Sequence, residues 1–288
     1  MALPLEGVRV VDLSQGAAGP VCTQLLGDFG ADVVKVEPPE GDWGRQLGPP
    51  FYLLPDGGKT AAAYVGMNRN KRSVMVDLKH PAGREAGLRL VDRADVFVES
   101  FRPGVAERLG LGAPTLLQRN PRLVYCSISA FGQHGPWRDR PGVDGVVQAM
   151  SGLMSVTGTE DGPPVKVGVP AADMVGGFLA ATGILLALVG RQRTGTGQVV
   201  DLSLFDALLA FQTVPLAMYF CSGTPPPRSG SAAPYAAPNE AFPTRDGWVM
   251  VAAYSPERWE RLCRVLGCPD LASDPRFATN DLRVRNRP

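Results

Sequence analysis

The sequence predicts an α/β protein with a Rossmann-like, mostly parallel sheet, helices on both faces, and a smaller α+β domain behind it. Two observations carry that expectation. Over the first two-thirds of the chain, short apolar runs alternate with helical stretches, the pattern of βαβ units. Near residue 221 the composition shifts to Pro, Gly and Ser, and the remaining residues read as a hairpin and an amphipathic helix.

The first strand is expected over 8–14, VRVVDLS. The loop QGAAGP comes next, then a helix through VCTQLLGDF, stopped by Gly30 at its C-cap. ADVVKVE (31–37) reads as the second strand. After a loop come a strand at 73–79, a helix from Pro81 to Asp92 and a strand at 95–100. A short helical stretch, a strand at 123–129 and a helix near Val143–Met154 come after these. A long apolar helix at about 171–191 precedes a strand at 197–203 and one apolar helix, LFDALLAFQTVPLAM. CSGTPPPRSGSAAPYAAP, with three consecutive prolines, is a linker. Beyond it, EAFPTRDGWVMVAAY reads as two strands around a turn at Arg245-Asp246-Gly247, and SPERWERLCRVLG as an amphipathic helix. The expected domains are therefore 1–221 (large), 222–238 (linker) and 239–288 (small). The chain stops in DLRVRNRP, basic and without a closing element, and is expected to be truncated.

Composition narrows the function. With 29 basic and 28 acidic residues the net charge is +1, which argues against nucleic acid or a membrane surface as the main partner. Five cysteines are dispersed without a CxxC pair, as in reduced cytosolic proteins. Two histidines, His80 and His134, lie far apart, so no metal site is expected. Glu6 interrupts the N-terminus before any long apolar run, unlike a secretory signal. The run Phe178–Val189 is shorter than the ~20 residues that a bilayer requires. A soluble, cytoplasmic protein is expected.

Asp173 stands alone in the apolar stretch VGVPAADMVGGFLAATGILLALVG. Pro170 suits the first helical position, and an acid in the first turn gains about 0.3–1 kcal/mol from the helix dipole. That is a sufficient structural reason for it. Gly176 and Gly177, on the same face, add a second possibility. Two glycines cost roughly 1 kcal/mol each inside a helix, so something approaches closely there, either another helix or a ligand. A carboxylate at such a site has the character of a nucleophile. The loop SQGAAGP lacks the G-x-G-x-x-G spacing of a dinucleotide site, although Glu37 ends the second strand. NRNKRS (68–73) is either a solvated basic edge or a phosphate clamp. ESFRPG and Arg108 add two cations. The polar loop GQHGPWRDRPGVDG holds a second acid, Asp144, at a helix start, where a plain cap is the simplest role.

These stretches together resemble the class III CoA-transferases, the family of formyl-CoA transferase, the carnitine-pathway CoA-transferase and α-methylacyl-CoA racemase. PLEGVRVVDLS, GDFGADVVKVEPPEGD, NRNKRSVMVDLK, DVFVESFRPGV, RLVYCSISAFGQHGP, RPGVDGVVQAMSGLMSVTG, VGVPAADMVGG, RQRTGTGQVVDLSLFDA and DPRFATNDLRVRNR run in the family's order. The resemblance implies that Asp173 is the nucleophile, ionised at neutral pH, with Asp144 beside it. It implies that Gln15, Gly16, Ala17 and Ala18 meet the acyl and pantetheine end of CoA. By the same resemblance Asn70, Lys71 and Arg72 lie near the nucleotide, while Ser100, Phe101 and Arg108 pack on adenine and hold phosphate. The substrates would be an acyl-CoA and a small carboxylic acid, with no permanent cofactor, and the full-length form would be an interlocked homodimer. The alternatives are an acyl-CoA racemase or epimerase, or a non-catalytic CoA-binding protein. Val143 and Ser255 stand where the racemases resembled here carry a His and a Glu, which argues against racemisation. RSGSAAPYAAPNEA does not reproduce the Gly-rich loop of formyl-CoA transferase.

Overall fold

The computed structural model describes residues 2–287. The chain divides into two compact units, Met1–Ser151 with Gly168–Phe211, and Gly152–Val167 with Gln212–Pro288.

The first unit opens with β1 (Arg9–Asp12), α1 (Ala18–Asp28) and β2 (Asp32–Glu37). A small hairpin, β3 (Phe51–Leu53) and β4 (Lys59–Ala61), and a short α2 (Ala62–Gly66) fill the connection to β5 (Lys71–Met75). Then come α3 (Pro81–Val91), β6 (Val96–Glu99), α4 (Val105–Arg108), α5 (Ala113–Arg119) and β7 (Val124–Ser129). The unit closes with α6 (Asp144–Met150), α7 (Ala171–Thr194), β8 (Val199–Ser203) and α8 (Leu204–Phe211). Among the described residues six of these strands pair in the order β5-β2-β1-β6-β7-β8, every pair parallel. Counted within the sheet, that is the doubly wound order, and the connections reverse direction between β1 and β6. On one face Val11, Val36, Phe97 and Tyr125 form a core with Val91, Leu111, Leu116 and Leu123. On the other, α1 and α7 pack together.

Glycine permits that last contact. A Cβ on Gly177 would lie 2.7 Å from the Ala18 carbonyl and 2.9 Å from Val21, and one on Gly176 would overlap Leu204. Of the two possibilities for the glycine pair, the structure shows helix packing. Pro170 occupies the cap position, one residue ahead of the first helical residue, Ala171. The helix runs 24 residues, Ala171–Thr194, three beyond the expected 191, and packs on α1, α8, β7 and β8.

The second unit contains α9 (Thr213–Ser222), an antiparallel hairpin of β9 (Asn239–Pro243) and β10 (Trp248–Ala252), α10 (Pro256–Val265) and α11 (Asn280–Arg285). Several sequence expectations change here. The single helix over 204–218 is two, because Pro215 has no N–H to reach the Phe211 carbonyl and is instead placed in the first turn of α9. The two units are not separated at 221. Residues 152–167 and α9 belong with the hairpin, since Gly152 at φ +84° ends the helix expected to reach Met154. The Pro-rich stretch does carry neither helix nor strand over 223–238. Most of the basic segment's described residues form α11. Arg283 on α11 is buried and donates to the carbonyls of Ala237, Phe277 and Tyr254.

Candidate active site

Where β1 and β6 part, the loops after them enclose a cleft of about 350 Å³. Gln15, Ala17, Ala18, Trp43, Ser100, Phe101 and Arg102 line it with Ile128, Ser129, Ala130, Gly142, Val143, Asp144, Asp173 and Leu204. Open α/β sheets bind ligands at this switch point, outside the carboxyl ends of the strands.

The two loops are tied together. The Gln15 N–H donates to Ser100 Oγ at 3.0 Å, and the Phe101 N–H donates to the buried Glu99 carboxylate at 2.7 Å. Burial pushes Glu99 up to about 7. Gly16 adopts φ +80°, and any Cβ there would overlap the Trp43 indole. Trp43 begins a one-turn helix capped by Asp42, which accepts from the Gly44 N–H at 2.8 Å and pairs with the buried Lys35 at 2.9 Å. Glu37 braces the same loop. Burial opposes its charge, but Arg45, Ser73, the Asp42 N–H and Tyr64 outweigh that and bring it down to about 2. Trp43 therefore stands half-exposed on a rigid base. Its role in the cleft was not legible from the sequence, because the cue is the close approach to Gly16 and not a spacing.

Asp173 lies in the first turn of α7 and faces the cleft. Among the described residues no hydrogen bond or ion pair reaches its carboxylate. Burial, and then the Asp144 charge, push it up to about 7. This corrects the expectation of a carboxylate almost wholly ionised at neutral pH; the unperturbed value of ~3.9 applies to a group fully in water, and Asp173 is partly buried beside Asp144. Asp144 does cap a helix, but not its own. Its Oδ1 accepts from the Ala172 N–H of α7 at 2.8 Å, and its Oδ2 accepts from Gln148 Nε2 at 2.7 Å.

The structure brings Gln15, Ala17, Ala18, Ser100, Phe101, Asp144 and Asp173 to one cleft, with Gly16 beneath Trp43. The basic segment is not among its lining residues. Residues 71–75 are the strand β5 itself, and neighbours on a strand point to opposite faces. Lys71 turns inward, where its ammonium meets Asp12 at 3.1 Å, the Pro20 carbonyl at 2.9 Å and Asn68 at 2.8 Å. All three of its donors are used. Arg72 turns outward to Asp32 at 2.6 Å, along a separate groove of about 950 Å³. Asn70 donates to Asp28 at 2.7 Å, beside the Arg69–Asp28 pair. The cation that does line the cleft is Arg102, in the ESFRPG segment. The Arg108 guanidinium lies near the neighbouring Gly104. Among the described residues neither arginine enters an ion pair. No group of three or more His, Cys, Asp or Glu stands close enough to hold a metal among these residues.

Known proteins share the sequence and the fold of this chain. The model of CoA-transferase family III matches residues 5–288. The chain is 45% identical over 289 residues to the succinate–glutarate CoA-transferase of Agrobacterium fabrum, covering 99% of this chain and 72% of that protein. It is 42% identical over 282 residues to the succinyl-CoA–D-citramalate CoA-transferase of Chloroflexus aurantiacus, covering 97% and 69%. A CAIB/BAIF family protein from Brucella suis superposes with a TM-score of 0.89 at 42% identity, covering all of this chain and 76% of the other. A family match across nearly the whole chain, relatives above 40% identity and the same fold place the chain in CoA-transferase family III, as an enzyme of that family.

Proposed function

We propose that the protein moves CoA from an acyl-CoA to a free carboxylic acid with Asp173 as its covalent nucleophile. One observation carries this reading. A partly buried carboxylate with no partner among the described residues faces the cleft at the sheet's switch point. Poor solvation strengthens an ionised nucleophile, and a value near 7 leaves about half of it ionised at neutral pH.

The steps balance without a metal or nucleotide triphosphate. The Asp173 carboxylate attacks the donor thioester, giving a mixed anhydride and the CoA thiolate. The thiolate attacks the aspartyl carbonyl, giving an enzyme–CoA thioester and the donor carboxylate. The acceptor carboxylate attacks that thioester, giving a new anhydride and the thiolate again. The thiolate takes the acceptor acyl group and frees Asp173. Every intermediate keeps an activated acyl bond, so the thioester energy is conserved.

We assign Ala17 and Ala18 to the acyl and pantetheine end, and Phe101, Arg102 and Arg108 to the nucleotide end. Val143 lines the cleft with a side chain that holds no proton, which weighs against racemisation. The relatives named above act on succinate, glutarate and D-citramalate, and short dicarboxylic acids are the substrates we assign here. Five free cysteines fit a cytoplasmic setting. An interlocked homodimer is the assembly we assign.

The test is direct. Protein mixed with succinyl-CoA is quenched and its mass measured. A CoA adduct on the peptide containing Asp173, removed by hydroxylamine, is expected. CoA transfer that survives Asp173→Ala overturns the mechanism.

A further inference from the structure

We propose that Gln148 is a positioning residue for the nucleophile, fixing Asp144 so that Asp144 in turn fixes the turn of α7 that presents Asp173. The inference rests on the reading of Asp173 as nucleophile.

Gln148 lies four residues after Asp144 on α6, so the two share a helix face. Its side-chain amide donates to Asp144 Oδ2 at 2.7 Å, and the residue is fully buried. The other oxygen, Oδ1, takes the Ala172 N–H at 2.8 Å. That N–H is one of the first in α7, which have no partner inside their own helix. The cap position holds Pro170, whose side chain cannot serve them. The duty passes to an acid from a different helix, and Gln148 holds that acid in place.

This arrangement changes what Asp144 does. Each of its oxygens has a protein donor, so it serves as an anchor. Among the charged residues lining the cleft, Arg102 comes from the loop after β6, Asp144 from α6 and Asp173 from α7. The neighbouring elements supply uncharged groups: Ala17 and Ala18 at the start of α1, Ile128 and Ser129 on β7, and Leu204 on α8. Asp144 is therefore the acid that faces Asp173 across the cleft. Tilting the first turn of α7 misplaces the attacking oxygen, and an error near 1 Å costs on the order of 10²-fold in rate. If Gln148 is only a core amide, its loss lowers stability and leaves the titration of Asp173 where it was.

The experiment compares Gln148→Leu, Asp144→Asn and the double variant with the parent, using succinyl-CoA and succinate. Adduct formation, KM, kcat and the pH dependence of kcat are read. Gln148→Leu is expected to lower kcat roughly tenfold or more with KM little changed. Without the Gln148 donor Asp144 is no longer held beside Asp173, so its charge raises Asp173 less and the acid limb moves to lower pH by about half a unit or more. Adding Gln148→Leu to Asp144→Asn should cost little further, since both act through one contact. An unmoved limb with unchanged kcat, or fully additive losses in the double variant, overturns the proposal. If Gln148→Leu does not fold, Gln148→Asn, which keeps the amide but shortens its reach, is read by the same criteria. A parent that forms no adduct at residue 173 overturns the reading of Asp173 and this inference with it. A parent adduct together with an unmoved limb in the variant removes Gln148 alone.

Discussion

At Asp173 burial and the Asp144 charge both oppose ionisation, and no hydrogen bond among the described residues offsets them, so the carboxyl is pushed up to about 7. Activity should therefore fall as pH drops through about 7, and Asp144→Asn should move that limb downward, as seen in a pH–rate profile. The same shift predicts stability. The folded value lies above that of the unfolded chain, so the folded protein holds the proton more tightly. Stability from this group is full below about pH 4 and is lost as pH rises towards 7. Asp173→Asn should melt above the parent at about pH 8 and close to it at about pH 4. An equal gain at both values would assign the effect to something other than charge. Two adjacent cations give a second residue-scale contrast. Lys71→Met leaves Asp12 buried without this partner and is expected to cost about 3–5 kcal/mol. Arg72→Ala breaks an exposed pair worth at most about 1 kcal/mol. Denaturant titration of both variants distinguishes them, and similar losses would contradict the placement of the two side chains on opposite faces.

The helix α7 shows how an element carries the site. Its glycines let it approach α1, where Ala17 at the cap and Ala18 at the first helical position line the cleft. Gly177→Ala adds a methyl 2.7 Å from the Ala18 carbonyl and should destabilise by about 1–3 kcal/mol, with kcat falling as α1 shifts. Gly190→Ala, in the same helix, meets nothing nearer than 3.8 Å and should gain up to about 1 kcal/mol from helix propensity. Thermal denaturation of the pair checks both signs. The loop after β6 gives a further expectation. If Arg102 and Arg108 hold phosphate, Ala at either position raises KM for the acyl-CoA with kcat little changed. If CoA and dephospho-CoA esters then respond identically, neither residue meets the 3′-phosphate.

On the scale of the whole molecule, both units leave large apolar side chains in solvent. In the first these include Phe178, Leu186 and Val189 on α7; in the second, Phe220 on α9 and Val265 and Leu266 at the end of α10. Contiguous apolar patches above a few hundred Å² are uncommon on monomers. Self-association is expected in sedimentation, and Leu186→Glu should weaken it if α7 takes part. A monodisperse species that binds no apolar dye would contradict this.

By itself the sequence determined the alternation of strand and helix, the hairpin turn at residues 245–247, the lone acid at the start of a buried helix, and the segments that place the chain in its family. Those signals are local, carried by periodicity and by residues a few positions apart, and they survive without knowing which strands are neighbours. Tertiary structure decided the partners. Parallel pairing of β5 with β2 sent Lys71 to Asp12 and Arg72 to Asp32 on opposite faces, which removed the basic segment from the cleft lining. Packing set Trp43 over Gly16, brought Asp144 to the N-terminus of a helix 28 positions away, and partly buried Asp173 beside it. A pKa depends on what surrounds a charge in space, and the crossovers that bring distant segments together fix those surroundings, so chain order alone could single out Asp173 but not its titration.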